Sequence, residues 1–238
     1  MSHSKAIKTI KILSSIGEDS PKSLYAERLR RNVRGVKRRK SIDHTWNGLL
    51  LSILTSQQRS TGRSNRVREL LDSGWLRWEI AINDPASITR TVKGFNYNER
   101  KKSYLRTARR WLLKNVEELD EYKRALRRIP VHNIQERYAA EVDAADFLRK
   151  GVDGIGPKQS RNFWQYLGYS VWTIPFDSRI RTILESPPFS MDPGLTYLKS
   201  EEYVIALCKA AETFPCLLDA SLFDLEGLMR TYVGLPRY

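Results

Sequence analysis

The sequence contains few cysteines and histidines, which excludes several classes of metalloprotein. Among 238 residues there are only two cysteines, Cys208 and Cys216, and three scattered histidines. An iron–sulfur cluster or a four-cysteine zinc site needs more thiolates than this. We therefore predict that the protein binds no metal and uses no cofactor. Both cysteines have apolar neighbours, so we expect them to be reduced and buried.

Long apolar runs are also missing. No segment approaches the roughly 20 apolar residues that cross a bilayer. The first 20 residues alternate lysine with isoleucine and are too polar for a secretory signal. We therefore expect no membrane partner and a cytoplasmic protein, associated with the nucleoid if it is prokaryotic. We expect it to be a monomer.

Acidic residues are outnumbered by basic ones. The chain has 41 Lys and Arg against 27 Asp and Glu, a formal net charge of +14. A chain this basic usually binds a polyanion, most often nucleic acid, although ribosomal and membrane-surface proteins share the property. Residues 28–40 carry eight basic residues and no acid. This run is either an arm that faces DNA or a solvated link.

Apolar residues recur at helical spacing along most of the chain, and convincing alternating strands are absent. The pattern predicts an all-α fold. The segments that favour helices include 43–55, a basic amphipathic helix at 99–114, 121–128, 157–167, 200–213 and 218–232. Ser20-Pro21 is typical of a helix start, and Gly168 of a helix end.

The most informative motif is Gly154-Ile155-Gly156-Pro157-Lys158. A Gly-x-Gly turn lets the backbone bend sharply and approach another molecule closely. Pro157 suits the first position of the next helix, whose N-terminus would face the same way as the loop amides and favour a phosphate. The sequence therefore predicts a helix-hairpin-helix element that holds DNA phosphates without reading bases.

Two charged residues near this hairpin are candidates for chemistry, and each also has a simpler interpretation. Lys158 lies just inside the second helix, where a lysine often only contacts phosphate. Asp177 follows 19 residues later and precedes Ser178-Arg179-Ile180, a good context for a helix N-cap. Capping and catalysis can coexist in one aspartate.

The stretch from Asp146 to Ile183, with the hairpin, the lysine and Ile174-Pro175-Phe176-Asp177, resembles the helix-hairpin-helix Gly/Pro-Asp superfamily of base-excision DNA glycosylases. A weaker match covers residues 49–58. The lack of cluster cysteines, the presence of the lysine and the short N-terminal part make the chain most similar to the compact prokaryotic and archaeal 8-oxoguanine glycosylases. It lacks the C-terminal lysine associated with one compact class.

This resemblance implies two helical lobes that flank a DNA-binding cleft, and an enzyme with N-glycosylase and abasic-site (β-elimination) lyase activities. Lys158 matches the nucleophile that forms a Schiff base, and Asp177 matches its acidic partner. The implied partner is double-stranded DNA with a damaged base or an abasic site. We interpret the chain as N-terminal helices and the basic segment (1–42), a lobe with the cleft loop and basic helix (43–140), and a hairpin and catalytic lobe with the C-terminal helices (141–238).

Further roles follow from the same resemblance and from position. Residues expected to contact the DNA backbone are Gly154, Gly156, Lys101 and Arg179. Residues that could fill the gap left by a flipped base, or wedge between bases, are Gln57, Phe95 and Tyr97, although a polar loop residue and buried aromatics are the simpler interpretations. Candidates for the base pocket are Asn162, Asp219 and Phe223.

Three other functions stay open on the sequence alone. The enzyme could act on oxidised pyrimidines instead of 8-oxoguanine. A non-catalytic helix-hairpin-helix protein would use the same hairpin only to bind DNA. A basic helical protein of this kind could also bind RNA.

Overall fold

The computed structural model describes residues 2–36, 41–55, 77–84, 86 and 98–235. Those residues form eleven α-helices and no strand, which confirms the predicted all-α fold. The helices are α1 (Ser2–Glu18), α2 (Leu24–Arg28, continued by a π-helical turn, Leu29–Val33), α3 (Ile42–Leu54), α4 (Trp78–Asn83), α5 (Asn98–Arg128), α6 (Ile134–Gly151), α7 (Pro157–Leu167), α8 (Ser178–Glu185), α9 (Tyr197–Ala210), α10 (Pro215–Asp224) and α11 (Glu226–Tyr232).

Helices α3 to α7 surround one set of buried apolar side chains, the first core. Its largest fully buried members are Trp46 and Trp164, which are 0% and 1% exposed. The Trp164 indole N–H donates to the carbonyl of Ala144 at 2.8 Å, which fastens α7 to α6. The predicted inward positions of α3 are buried, because their spacing places them on one face of the helix.

A second core is built from α1 and α8 to α11. Ala6, Ile10 and Leu13 on α1 pack there, as their helical spacing predicts. Cys208 belongs to this core, and Cys216 lies in a small cluster beside it; both are buried free thiols. Burial raises the pKa of both thiols. The N-terminal helices therefore share apolar packing with the C-terminal helices.

Local signals near the hairpin predict helix ends correctly. Pro157 occupies the first turn of α7, and Gly168 ends that helix with φ of +86°. Asp177 is the N-cap of α8, and its side chain accepts from the amides of Arg179 and Ile180. Such caps depend on one or two neighbouring residues, so they can be recognised from the sequence.

Some predicted boundaries are wrong. The segments 99–114 and 121–128 form one helix, α5, which bends at Asn115 (φ −121°, ψ 18°), where the side-chain amide donates to the carbonyl of Trp111 at 2.7 Å. No Gly or Pro separates the two segments, so the helix bends instead of ending. The cap of α2 is Ser23 and not Ser20, since the Ser23 hydroxyl accepts from the Ala26 amide. The segment 218–232 is two helices that meet at Leu225.

The structure describes residues 28–36 of the basic run. Some of their basic side chains are buried in the protein, so this part is not simply an arm that faces DNA or a solvated link. Arg28 and Arg31 are 9% and 8% exposed. Arg28 pairs with Asp219, and Arg31 donates to the Gln165 carbonyl at 3.1 Å. The burial of Arg28 and Arg31 could not be predicted from the sequence, because their acceptors are more than 130 residues away. Within the described ranges, none of the helices is long and apolar enough to cross a membrane.

We predict that Gly154→Ala destabilises the protein by about 1 to 3 kcal/mol, the usual cost of a non-glycine residue in the left-handed region. Gly154 has φ of +79°, and an added Cβ would overlap the Tyr104 ring. Urea unfolding would measure the loss. The control is Gly227→Ala, whose Cβ would meet no atom within 4 Å. Equal stability of the two variants would contradict this account of the hairpin.

Candidate active site

The hairpin between α6 and α7 is held in place by two side chains that are buried in the first core. Val152 and Ile155 are buried in the first core, while Asp153 and Gly154 are exposed at the tip. The Ile155 amide donates to the Val152 carbonyl at 3.2 Å, which closes the turn. The backbone of the tip therefore faces solvent, next to the N-terminus of α7, where amides of a first helical turn have no acceptor within the helix.

Lys158 and Asp177 come together across this N-terminus. The Lys158 amine (Nζ) lies 3.6 Å from Oδ2 of Asp177, and the two side chains are 32% and 12% exposed. Lys158 is carried by α7, which packs in the first core, while Asp177 caps α8 of the second core. The pair therefore spans the junction of the two cores and stays open to solvent on the lysine side.

Asp177 is held in place by four hydrogen bonds. Its Oδ1 accepts from the amides of Arg179 at 3.0 Å and Ile180 at 2.9 Å, and its Oδ2 accepts from Arg179 Nη2 at 2.6 Å and Nε at 3.2 Å. Burial alone would raise the pKa of this carboxyl. The Ile180 amide, the Lys158 charge and the Arg179 guanidinium outweigh burial and lower the pKa. Asp177 is therefore ionised at neutral pH.

Arg179 connects Asp177 to the C-terminal helices. Its Nη1 lies 3.2 Å from Oε2 of Glu226 on α11, and its guanidinium lies 5.7 Å from the centroid of the Phe223 ring. Phe223 is half exposed. The structure thus brings Arg179 and Phe223 to the Lys158–Asp177 pair, and it shows that Arg179 is engaged with carboxylates in this conformation.

Asp219 on α10 is 3% exposed. Burial raises the pKa of Asp219 although the paired Arg28 opposes the effect, and the charges of Asp177 and Lys158 also act on it. Asn162 is partly buried on α7, one turn after Lys158. Two of the three predicted pocket residues, Asn162 and Asp219, are therefore near the pair. The partner of Asp219, Arg28, was not recognised as part of this region from the sequence.

Lys101 does not lie on the surface. It is 2% exposed, and its amine donates at 2.9 Å to the carbonyl of Leu54 at the end of α3. A phosphate contact would require Lys101 to leave this position. Gln57, Phe95 and Tyr97 lie outside the described residues.

The segment from Ser170 to Thr173 is bonded to a carboxylate that sequence reasoning missed. Glu141 on α6 accepts from the amides of Val171, Trp172 and Thr173 at 2.8 to 2.9 Å and from the Ser170 hydroxyl at 3.0 Å. Nothing in the local sequence marks Glu141, because its acceptor role depends on a segment 29 to 32 residues away. In the described part of the chain, no group of three or more His, Cys, Asp or Glu residues is arranged to hold a metal ion.

Comparison with solved structures identifies the fold. An 8-oxoguanine DNA glycosylase of Methanocaldococcus jannaschii is 21% identical, with a TM-score of 0.63 over 95% of this chain and 97% of that one. An 8-oxoguanine DNA glycosylase of Thermotoga maritima is 16% identical, with a TM-score of 0.64 over 94% and 96%.

A structure described as Methanocaldococcus jannaschii 8-oxoguanine glycosylase/lyase with a 15mer DNA containing 8-oxoguanine is 18% identical, with a TM-score of 0.58 over 90% and 98%. No family profile and no curated sequence matches the chain. The chain therefore shares the fold of these enzymes over nearly its whole length.

We predict that Asp177→Asn lowers the free energy of unfolding at pH 7 and that the loss shrinks in acid. The folded-state pKa of Asp177 is lowered, so its ionised form stabilises the fold above the unfolded pKa of about 3.9 and less so as the pH falls below it. Asparagine keeps most of the capping capacity, so the comparison isolates the charge. Urea unfolding from pH 7 to pH 3 would measure this. A difference independent of pH would contradict it.

Proposed function

We propose that this protein is a DNA N-glycosylase with an associated abasic-site lyase activity, a member of the helix-hairpin-helix Gly/Pro-Asp superfamily that acts on an oxidised base. The observation that carries the proposal is the 3.6 Å approach of the Lys158 amine to the ionised Asp177 carboxylate beside an exposed hairpin tip. The shared fold with 8-oxoguanine glycosylases favours 8-oxoguanine as the base.

The hairpin would hold the DNA backbone beside the damaged nucleotide. Its exposed tip and the first turn of α7 offer backbone amides to a phosphate, which binds DNA without reading its sequence. Arg149 and Lys150 are exposed at the end of α6, just before the hairpin. Because the glycosidic bond is hidden inside a duplex, the target nucleotide must rotate out of the stack before the amine can reach its sugar.

The first chemical step is attack of the unprotonated Lys158 amine on C1′ of the deoxyribose. The bond from C1′ to the base nitrogen breaks, its electron pair leaves with the base, and the base takes up the proton that the attacking amine releases. Asp177 is ionised and fixed by its cap, so its negative charge can offset the positive charge that develops on the sugar.

The second step breaks the strand. Opening of the sugar ring leaves an imine between Lys158 and C1′. Loss of a proton from C2′ then expels the 3′ phosphate by β-elimination. Asn162, Asp219 and Phe223 lie near the pair, and we propose that they line the pocket for the flipped base.

We predict that Lys158→Gln abolishes the covalent adduct that borohydride forms with a duplex containing 8-oxoguanine. DNA affinity should change little, because one charge among 41 basic residues is a small part of the electrostatic attraction. Asp177→Asn should fold and bind, yet react about 10² to 10⁴ times more slowly, since a charge partner of the transition state is lost. Gel assays of the trapped adduct would measure both.

Mass spectrometry of the trapped peptide discriminates the alternatives. An adduct on Lys158 supports the mechanism, and an adduct on another amine contradicts it. A duplex with an oxidised pyrimidine, run in parallel, tests the other lesion class. DNA binding without an adduct would indicate a binding module, and preference for RNA would indicate an RNA-binding protein.

We also predict that DNA affinity falls steeply with salt. Exposed arginines on the described surface include Arg30, Arg34, Arg100, Arg106 and Arg110. If about six phosphates are neutralised, log K should fall with log salt with a slope of about −5. Fluorescence anisotropy between about 50 and 200 mM salt would measure it, and a constant affinity would contradict the proposed electrostatic contact.

A further inference from the structure

A buried ion pair joins the helix that carries Lys158 to the second core. Arg161 lies on α7, three residues after Lys158, and Glu201 lies on α9. Arg161 donates from Nε to Oε1 of Glu201 at 3.2 Å and from Nη2 to Oε2 at 3.0 Å. The two side chains are 2% and 0% exposed. Such a two-point contact fixes orientation as well as distance.

The same carboxylate also holds the segment that leads to Asp177. Oε1 of Glu201 accepts from the Ile174 amide at 3.1 Å, three residues before Asp177. The Tyr138 hydroxyl approaches Oε2 at 3.4 Å. One carboxylate therefore contacts both the helix of the amine and the backbone that precedes its acidic partner.

Tyr197 on α9 makes further hydrogen bonds to the backbone that precedes Asp177. Its hydroxyl donates to the Ile174 carbonyl at 2.8 Å and accepts from the Phe176 amide at 3.0 Å. Burial raises the pKa of Tyr197, so the hydroxyl stays protonated and remains a donor. The Arg161 guanidinium lies 5.0 Å from the centre of the Tyr197 ring. Three backbone groups just before Asp177 are thus fixed to α9.

Stability alone does not explain this arrangement. Burying two charges costs solvation free energy, and apolar replacements of such pairs are often as stable or more stable. What the pair provides is a directed contact between two separate cores. The Lys158–Asp177 pair spans the same junction, and a displacement of about 1 Å can lower an enzymatic rate about 10²-fold.

We infer that Glu201 is a positioning residue, which sets the separation of Lys158 and Asp177 through Arg161 on one side and the Ile174 amide on the other. The inference rests on the proposed function for its effect on reaction rate. Its effect on the geometry of the pair is independent of any activity.

Glu141 offers a matched control. It is as buried as Glu201, it pairs with Arg137 through one hydrogen bond where Glu201 makes two with Arg161, and it accepts from neighbouring backbone amides of the same segment. Its arginine, however, lies on its own helix, α6, and not on the helix of Lys158. Glu141→Gln should therefore destabilise the protein comparably without disconnecting α7 from the segment before Asp177.

The test compares Glu201→Gln and Glu141→Gln with the wild-type chain, well below all unfolding temperatures. One readout is the single-turnover rate on a duplex with 8-oxoguanine, alongside the dissociation constant. The other is a carbon-13 NMR titration of the Asp177 carboxyl. Glu201→Gln should lower the rate about 10²-fold with affinity unchanged, and it should raise the pKa of Asp177 because Lys158 moves away. Glu141→Gln should leave both readouts near wild type.

A double variant covers the possibility that Glu201→Gln does not fold. Arg161→Met combined with Glu201→Met replaces the ion pair by apolar side chains of similar length, which such sites often tolerate. It should be folded, bind DNA and react as slowly as the single variant. A wild-type rate together with an unchanged Asp177 titration in either variant would overturn the inference.

The two proposals can fail separately. If the wild-type protein forms no adduct while Lys158→Gln behaves identically, the proposed function is wrong. The Asp177 titration then still decides the positioning inference, since it measures the contact between the carboxyl and the amine directly. An unchanged titration in Glu201→Gln would overturn it even then.

Discussion

The arrangement of the candidate site depends on how the backbone from Ile174 to Asp177 finds its hydrogen-bond partners. This segment has no regular secondary structure, yet residues 170–176 are buried. Buried amides without acceptors would be costly. Glu201 accepts from the Ile174 amide and the Tyr197 hydroxyl from the Phe176 amide, while Glu141 accepts from the amides of Val171 to Thr173, farther from Asp177. The position of this loop is therefore fixed, and it places Asp177 next to Lys158 on α7. A single helix or loop on its own could not fix this contact.

The basic residues of the chain include two groups, those buried against carboxylates and those exposed to solvent. Several arginines that contribute to the net charge of +14 are buried against carboxylates, including Arg28, Arg137 and Arg161. These charges are engaged inside the protein and are not available to a polyanion. Other arginines face solvent, among them those near α2 and on α5 and Arg149 on α6. Net charge is therefore a fair guide to the class of partner and a poor guide to which residues contact it.

Much of the fold and of the candidate site could be predicted where the signal is local. The N-cap role of Asp177, the start of α7 at Pro157 and the glycine end at Gly168 each depend on a few adjacent residues. The approach of Lys158 to Asp177 was expected from the resemblance. Lys101 was expected on the surface of a basic helix, but it is buried because the end of α3 offers it a carbonyl. No pattern within α5 contains that information.

The sequence by itself determined the all-α class, the helix ends around the hairpin, the exposed turn at Gly154 and the excess of positive charge. These properties follow from backbone conformational preferences and composition, which act over a few residues. Only the tertiary structure decided which charges are buried and which partners they have. Arg161 and Glu201 are 40 residues apart, and Arg28 and Asp219 are 191 apart. Such pairs form because folding removes water around both groups at once, so each becomes the other's best available partner.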